Sequence, residues 1–456
     1  MGEVTYRIAG ASGFWGDRDD ALAAQLRGGP VDAVMLDYLS EVTLSLLRQR
    51  RARAPGAGYA PDFLTALEPV LGEIARRGIV VVTNAGGLDP RACAHRVVEL
   101  ARRRGVRGLG VGLVTGDDLF DRVGELVRSG VTLANQDTGA PFEGIRERLS
   151  SANAYLGAEP IAEALREGAQ IVVTGRTTDS ALVLGPLLAR YGWPEGDFDR
   201  RAAGVIAGHI IECGGQASGG NFAGGWDTVP ALADLGYPIV EVEETGEFVV
   251  TKHPSQGGLV TPAVVKEQLV YELGDPRRYL TPDVTADFTS VHLADRGADR
   301  VRVSGARGTA PPPMLKASLS YEAGWRNEAT LAFVWPDAER RARAAAELLL
   351  ARCRKRGIVI DEHRVELFGA GAVHGPIARP PREPDEVLLR VAVRTRDRES
   401  ADQFGREIAP LITSGLPGAC GGPGGRGRPR ASPIIAFWPT LVPRAAVTPE
   451  VEVLFS

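Results

Sequence analysis

Cysteine and histidine are scarce in this chain of 456 residues, and their spacing lacks the common structural metal motifs. The four cysteines (Cys93, Cys213, Cys353 and Cys420) include no CxxC pair, and the six histidines include no HExxH motif. We therefore expect neither a structural zinc site nor a disulfide framework.

The chain also lacks a basic surplus, a leader-like N-terminus and a membrane-length apolar run. Its formal net charge of -4 leaves no excess of lysine and arginine for nucleic acid. No charged flank precedes an apolar core at the N-terminus, and no stretch approaches the roughly 20 apolar residues that span a bilayer. We expect a soluble, cytoplasmic protein without nucleic-acid or membrane partners, and its arginine-rich, alanine-rich composition is typical of a GC-rich bacterial genome.

Glycine and proline, in contrast, are abundant, and the chain is too long for one ordinary core. The 56 glycines and 31 prolines indicate many turns in a globular chain, for which two or three domains are expected. In the first half, helical patterns, among them those at 62–77, 117–129 and 202–211, alternate with short apolar runs. These runs predict strands at 4–10, 33–36, 79–83, 109–115 and 171–174. Such units, joined by right-handed crossovers, predict a parallel sheet with flanking helices.

The pattern changes after residue 238. Alternating polar and apolar runs predict antiparallel strands there, together with helices at 337–356 and 400–411. The predicted fold class is therefore α/β, with an N-terminal parallel sheet and flanking helices over residues 1–238 and a C-terminal α+β domain over residues 239–456. The first domain carries most of the candidate site, and the second contains a Gly/Arg-rich loop near 415–430.

The turn after the first predicted strand has three evenly spaced glycines, Gly10, Gly13 and Gly16. Similar spacing occurs where some folds bind a dinucleotide at a helix N-terminus. Asp17 and Asp19 follow in the first turn of the next helix, where they would repel a pyrophosphate. A close-packed turn is the preferred interpretation, and no nucleotide cofactor is expected.

Polar and glycine-rich segments follow two later elements of the first half. The predicted strand at 171–174 breaks at Gly175 just before a helix at 181–191, and open α/β sheets bind ligands at such strand ends. The segment 212–221 contains a carboxylate, a thiol and four glycines, whose backbone N–H groups can face an anion. These segments supply the catalytic candidates Arg176, Asp179, Glu212 and Cys213, although an ordinary loop thiol is the competing interpretation of Cys213.

Further loop residues are candidates for substrate contacts. They are Asn84, Gly86, Gly87, Asn153, Tyr155, Thr178, Gly214, Gly215, Gly219, Gly220, Asn221, Lys252, Ser255 and Gly257. Simple packing remains open for Asn153 and Tyr155, and a solvated strand end remains open for Lys252. Asp37 and Glu41 share a helix face if the helix begins early; alternatively, Ser40 is its N-cap and Glu41 a first-turn acid.

Eight segments match a known family in order. They are DYLSEVT at 37–43, TNAGGLDP at 83–90, ANAYLG at 152–157, VTGRTTD at 173–179, ECGGQASGG at 212–220, PSQGGLV at 254–260, RPR at 428–430 and WPTLVP at 438–443. Together they resemble the acyclic terpene utilisation AtuA-like family. The resemblance implies a bacterial role in citronellol and geraniol breakdown through acyl-CoA esters. It also implies a homo-oligomer, and a further small domain that is either absent here or a separate companion subunit.

Three functions follow as hypotheses. The first is a lyase of hydratase or dehydratase type acting on a small acid or acyl thioester, with Asp179 or Glu212 as base, Arg176 as anion clamp and glycine N–H groups as oxyanion donors. The second is a divalent-metal enzyme in which acidic side chains bind Mg²⁺ or Mn²⁺; its ligands would be Asp37, Glu41, Asp179 and Glu212. The third is a non-catalytic subunit that binds an acyl-CoA or a partner.

Overall fold

A computed structural model of the protein describes residues 5–379, 383–422 and 428–456. The described residues form two compact units, the first within the ranges 1–320 and 437–456 and the second within the range 321–436. This division differs from the boundary predicted after residue 238, because the strands that follow 238 pair with the sheet of the first unit. Part of the predicted Gly/Arg-rich loop, residues 423–427, lies outside the described residues.

The elements up to residue 320 alternate between strands and helices. The strands are β1 (Tyr6–Gly10), β2 (Ala33–Leu36), β3 (Val80–Thr83), β4 (Gly110–Thr115), β5 (Leu149–Ala154), β6 (Ile171–Thr174), β7 (Ile239–Val242), β8 (Phe248–Thr251), β9 (Tyr279–Leu280), β10 (Thr285–Asp287), β11 (His292–Asp295), β12 (Val301–Ser304), β13 (Arg307–Thr309) and the start of β14 (Met314–Val334). The helices are α1 (Ala21–Gly28), α2 (Glu41–Arg53), α3 (Asp62–Leu67), α4 (Leu71–Arg77), α5 (Pro90–Arg103), α6 (Val123–Arg128), α7 (Glu159–Arg166), α8 (Ala181–Tyr191), α9 (Phe198–Ile211) and α10 (Pro262–Val270).

The remaining elements follow in the same order. The helices are α11 (Ala338–Lys355), α12 (Arg398–Arg406) and α13 (Leu411–Ser414), and the strands are β15 (Glu362–Phe368), β16 (Glu386–Thr395), β17 (Cys420–Gly421), β18 (Ser432–Pro443) and β19 (Glu450–Phe455). No helix within the described parts of the chain has both the length and the apolar character needed to cross a membrane.

A ten-stranded sheet organises the first unit, in the order β11-β12-β8-β7-β1-β2-β3-β6-β4-β19. The five central strands, β1, β2, β3, β6 and β4, are parallel, whereas β7 and β19 pair with them antiparallel. The predicted α/β fold with a parallel N-terminal sheet is therefore confirmed. Because parallel strands end at a common edge, the segments that follow β1, β2, β3, β6 and β4 meet there.

Local signals explain several element boundaries. Ser40 caps α2 in a capping box with Thr43. The Asp89 side chain accepts a 3.2 Å hydrogen bond from Ala92 N at the start of α5, where Pro90 is the first helical residue. The helix predicted over 62–77 is divided into α3 and α4, and Pro69 lies in the break because proline lacks the N–H that a continuous helix needs.

Two local predictions were wrong. The helix predicted over 117–129 is reduced to a 3₁₀ turn at Phe120–Arg122 and to α6, because the Asp117 side chain is held by hydrogen bonds from neighbouring strand ends. The segment around Asn153, which the sequence predicts as a loop, is strand β5, which pairs with β14 far along the chain. A pairing partner at such a distance leaves no local signal in sequence.

The second unit has α+β character. Its antiparallel sheet has the order β15-β16-β14-β17. Helix α11 buries an apolar face that includes Ala342, Ala345 and Leu349 in the same core as Phe333. The predicted α+β character of the C-terminal region is confirmed within this unit.

Candidate active site

A cavity of about 400 Å³ lies beside the carboxyl edge of the parallel strands, and every lining residue belongs to the first unit. Its charged and titratable side chains are Glu41, Tyr155, Arg176, Asp179, His209, Glu212, Glu272, Tyr279 and Lys316. The rest of the wall consists of Gln136, Thr178, Leu280, Thr281, Pro282, Pro312, Met314, Leu315 and Leu441. The combination of six apolar side chains with convergent polar groups is typical of a small-molecule site.

Arg176 is the largest fully buried side chain of the described residues, with 2% of its surface exposed. Its guanidinium carbon lies 4.2 Å from the centre of the Tyr155 ring. Nη1 donates to the carbonyl oxygen of Leu39 and lies 3.3 Å from Oδ1 of Asp179. The Nε of Arg176 is enclosed by the protein and has no hydrogen-bond partner among the described residues.

Asp117 fixes the turn that presents Arg176. Its Oδ2 accepts 2.8 Å hydrogen bonds from Arg176 N and from Nδ2 of Asn153. A Cβ atom at Gly175 would lie 2.2 Å from Oδ1 of Asp117, so glycine is required for this approach. Burial raises the pKa of Asp117 to about 6, against the lowering effect of the two hydrogen bonds.

Asp37 forms a carboxyl pair with Asp179. Oδ1 of Asp37 accepts 2.7 Å and 2.9 Å hydrogen bonds from Nδ2 of Asn84 and from Leu39 N. Burial, and next the charge of Asp179, raise the pKa of Asp37 well above its usual range, although Arg176 opposes this. Burial also raises the pKa of Asp179, which the nearby Arg176 and a hydrogen bond from Asp37 lower. Asp37 therefore holds the proton of the pair and donates it toward Asp179.

Asn84 supports this pair from behind the cavity, and its removal is expected to destabilise the protein. Its Oδ1 accepts a 2.7 Å hydrogen bond from Tyr38 N while its Nδ2 donates to Asp37. Asn84→Ala leaves both buried groups without this partner, so the free energy of unfolding should fall by about 2–3 kcal/mol in urea denaturation. Gln136→Ala, at an exposed amide of the same unit, is the control. A loss in Asn84→Ala no larger than in the control would contradict the assignment.

Glu41 links two other side chains of the wall. Its Oε1 accepts 3.1 Å hydrogen bonds from the Tyr155 hydroxyl and from Nζ of Lys316, and Nζ lies 4.7 Å from the centre of the Tyr155 ring. Burial raises the pKa of Glu41, but Arg176 and Lys316 outweigh it and lower the pKa to about 2. Glu41 is therefore a permanent carboxylate at neutral pH.

His209 and Glu212 form a second pair of titratable side chains. His209 lies in the last turn of α9 and Glu212 is the C-cap residue of this helix, so the two side chains lie on one face. Nδ1 of His209 lies 3.0 Å from Oε1 of Glu212, and the imidazole packs against Tyr279 and Phe288. Burial raises the pKa of Glu212 to about 7, with further contributions from Asp179 and Glu272 and an opposing one from His209. Within the described residues, Nε2 of His209 and Oε2 of Glu212 are buried without hydrogen-bond partners.

The pKa of His209 moves upward as well. Burial lowers it, but the charge and hydrogen bond of Glu212 outweigh burial. The two groups therefore exchange a proton near neutral pH, which is the property a general acid or base requires.

The predicted catalytic residues differ in where the structure places them. Arg176, Asp179 and Glu212 line the cavity, whereas Cys213 is not among its lining residues. Burial, and next the charge of Glu212, raise the pKa of the Cys213 thiol. A protonated thiol is a poor nucleophile, so the ordinary loop thiol is the better interpretation of Cys213.

Of the predicted substrate contacts, Tyr155 and Thr178 line the cavity. Asn84 and Asn153 lie behind it as partners of Asp37 and Asp117. The other candidates are not in its lining, and they are Gly86, Gly87, Gly214, Gly215, Gly219, Gly220, Asn221, Lys252, Ser255 and Gly257.

Close packing explains most of those outlying glycines. A Cβ at Gly86 would lie 2.4 Å from the carbonyl oxygen of Thr174, and one at Gly215 would lie 2.5 Å from the Leu235 side chain. Lys252 pairs with Asp299 at 3.0 Å and donates to the Gln256 carbonyl oxygen at 2.9 Å. The expected role of these glycine N–H groups as oxyanion donors therefore has no support from the cavity geometry.

Sequence reasoning missed several wall residues. His209 precedes Glu212 by three positions in a predicted helix, and this spacing would have placed both on one face. Lys316 comes from β14, where Tyr155 N donates to the Lys316 carbonyl oxygen at 2.9 Å, and no local pattern indicates that approach. Tyr279, Glu272 and much of the apolar wall come from segments beyond the domain boundary that the sequence predicts.

The proposed metal ligands are engaged with other groups. Asp37 contacts Asn84, Glu41 contacts Lys316 and Glu212 contacts His209. In the described part of the chain, no group of three or more His, Cys, Asp or Glu side chains is arranged to hold a metal ion. The Mg²⁺ or Mn²⁺ alternative therefore gains no support from the donor arrangement.

The glycine turn after β1 is a packing feature. A Cβ at Gly10 would lie 2.8 Å from the carbonyl oxygen of Ile211, and one at Gly13 would lie 2.5 Å from Gly214 N. Asp17 accepts a 2.8 Å hydrogen bond from Gly13 N, which uses a donor that a pyrophosphate would need. This geometry favours the close-packed turn over a nucleotide site.

The chain was compared with models of known protein families. The model of the family described as acyclic terpene utilisation family protein AtuA matches residues 6–453. The chain belongs to this family. The AtuA match spans both units and every residue of the cavity wall. Neither the curated proteins nor the solved structures gave a match to the chain.

Proposed function

We propose that the protein is a lyase of hydratase or dehydratase type that acts on a small acid or on its acyl thioester. The supporting observation is the buried His209–Glu212 pair, which faces the cavity at the carboxyl edge of the sheet. A carboxyl group whose pKa is raised to about 7 is suited to move a proton at neutral pH. Membership in a family linked to acyclic terpene utilisation agrees with the apolar part of the wall.

In the proposed dehydration, Glu212 removes the proton from the carbon next to the substrate carbonyl. The C–H electron pair forms the C=C bond as the C–O bond of the 3-hydroxyl breaks, and the leaving oxygen takes a proton to depart as water. Asp179 lies on another part of the wall and shares a proton with Asp37 behind it, and this pair is assigned as that acid. The Arg176 guanidinium stabilises the negative charge that develops on the carbonyl oxygen.

Exchange of carbon-bound hydrogen in D₂O tests this proposal whichever way the reaction runs. The full-length protein is incubated with N-acetylcysteamine thioesters of short saturated, 3-hydroxy and 2-enoyl acids and with the corresponding free acids. Proton NMR follows loss of the signal next to the carbonyl, and we expect protein-dependent loss for at least one probe. Probes that bind without exchange would instead support the non-catalytic subunit hypothesis.

The rate of this exchange should depend on pH with a midpoint far above that of an ordinary glutamate. Glu212 acts as base only when ionised, so kcat/KM should rise from about pH 6, pass its midpoint near pH 7 and reach a plateau above about pH 8. Glu272→Gln removes a charge that raises the pKa of Glu212, and should shift the midpoint to lower pH. Glu143→Gln, at an exposed residue outside the cavity lining, should leave it unchanged. A flat profile across this range would contradict the role of Glu212.

A further inference from the structure

The charged side chains of the cavity wall already balance one another. Nη1 of Arg176 lies 3.3 Å from Oδ1 of Asp179, and Nζ of Lys316 lies 3.1 Å from Oε1 of Glu41. The formal charges of these two ion pairs sum to zero. Asp37, which shares a proton with Asp179, is hydrogen-bonded to Asn84 and adds no cation.

The third charged pair of the wall is also neutral as a whole. His209 and Glu212 are joined through Nδ1 and Oε1 at 3.0 Å. A single proton held by this pair leaves no net charge, whether the imidazole or the carboxyl carries it. Glu272, an exposed carboxylate of the lining, adds one further negative charge to the wall.

This balance is unfavourable for a ligand with a free carboxylate. A carboxylate could reach Arg176 only in competition with Asp179, and Lys316 only in competition with Glu41. It would also lie in the same cavity as the Glu272 carboxylate. Burial of an uncompensated charge is costly, whereas an uncharged carbonyl group carries no charge that needs a counter-ion and costs less to bury.

The remaining wall is suited to a hydrocarbon chain. Its apolar members are Leu280, Pro282, Pro312, Met314, Leu315 and Leu441. Burial of a chain against such side chains contributes favourably in proportion to the apolar area removed from water.

We propose that the cavity takes an uncharged carbonyl compound of ester or thioester type with an apolar chain, and rejects the corresponding free acid. This inference rests on the proposed function and decides between its two substrate classes. The charged pairs then stay intact on binding, and only one hydrogen-bond acceptor of the ligand needs a partner.

Two probes of equal chain length and different headgroup charge test the inference: hexanamide and hexanoate. Binding to the full-length protein is measured by calorimetry or ligand-observed NMR at neutral pH and low salt, where charge effects are largest. Hexanamide should bind at least about tenfold more tightly than hexanoate. Equal or tighter binding of hexanoate, or no binding of hexanamide, would overturn the inference.

A variant that removes one negative charge from the wall should shift the binding preference toward the carboxylate probe. Glu41→Gln releases Lys316 from its carboxylate partner, and should raise the affinity for hexanoate relative to hexanamide about tenfold. Glu143→Gln makes the same charge change at an exposed position outside the cavity lining and should leave the ratio unaltered. If Glu41→Gln does not fold, Glu272→Gln should raise the affinity for hexanoate relative to hexanamide in the same way. An unchanged ratio in the folded variant would overturn the inference.

The two proposals can fail separately. Binding of the hexyl probes requires no turnover, so their ranking reports the charge preference alone. Absence of hydrogen exchange with all thioesters and acids would overturn the lyase proposal while the preference for hexanamide remained.

Discussion

Glu212→Gln is expected to lower turnover by about 100-fold or more while the protein remains folded. The amide has nearly the same shape as the carboxyl group and can keep a hydrogen bond to Nδ1 of His209, which lies 3.0 Å away in the native chain. It cannot accept and release a proton at neutral pH. The exchange assay in D₂O and a urea unfolding curve separate lost chemistry from lost structure.

The same variant should change the pH dependence of stability in a defined direction. The folded pKa of Glu212 is raised from 4.5 to about 7, so its protonated form favours the folded state below the unfolded pKa. This contribution is lost as pH rises through the folded value. Between about pH 5 and about pH 8, Glu212→Gln should therefore gain up to about 3 kcal/mol relative to the native protein.

Asp179→Asn should also reduce turnover by about 100-fold or more, because it removes the carboxylate partner of both Asp37 and Arg176. Asp227→Asn, at an exposed position outside the cavity lining, is the matched control. Full activity in both Glu212→Gln and Asp179→Asn would remove the acid–base assignment.

The largest loss of stability is expected for Arg176→Met, at about 3–5 kcal/mol in the free energy of unfolding. Methionine retains apolar contact with Tyr155 but leaves Asp179 and Glu41 without a nearby buried cation and the Leu39 carbonyl oxygen without its donor. The penalty arises mainly from these stranded groups. Urea denaturation of the variant and native proteins measures the difference.

A surface arginine of the same unit provides the comparison. Arg91 pairs with Glu452 at 2.7 Å, and about half of each side chain is exposed, so Arg91→Met should cost no more than about 1 kcal/mol. Arg176→Lys keeps the charge but loses the planar donor set, and should fall between the two. Equal losses for Arg176→Met and Arg91→Met would show that the buried guanidinium does not organise the wall.

The parallel half of the sheet could be predicted because its signals are local. The bounds of β2, β6 and α8 agree with those predicted from apolar runs and the glycine at 175. The candidates Arg176 and Asp179 were found for the same reason, since the carboxyl end of a buried strand in an α/β sheet is a favoured ligand site.

The remainder depends on contacts between distant segments. The alternating polar and apolar residues after residue 238 predict antiparallel strands. This pattern does not show that β7 pairs with β1 in the first sheet, so a separate domain was predicted instead. Lys316 and Leu441 reach the cavity for the same reason, through strands whose partners are remote in sequence. Glycine-rich segments were also ambiguous, because a glycine that allows close packing and one that exposes an N–H to a ligand look identical in sequence.

The pairing of β19 with β4 has a consequence for biosynthesis. Glu450 lies opposite Thr115, and Phe455 lies opposite Gly110, so the outer edge of β4 is covered by residues that are synthesised long after it. Until then the backbone groups of β4 offer a template for strands of other chains. Deletion of residues 450–455 should consequently yield a protein that aggregates during expression, although every side chain of the cavity wall is still encoded.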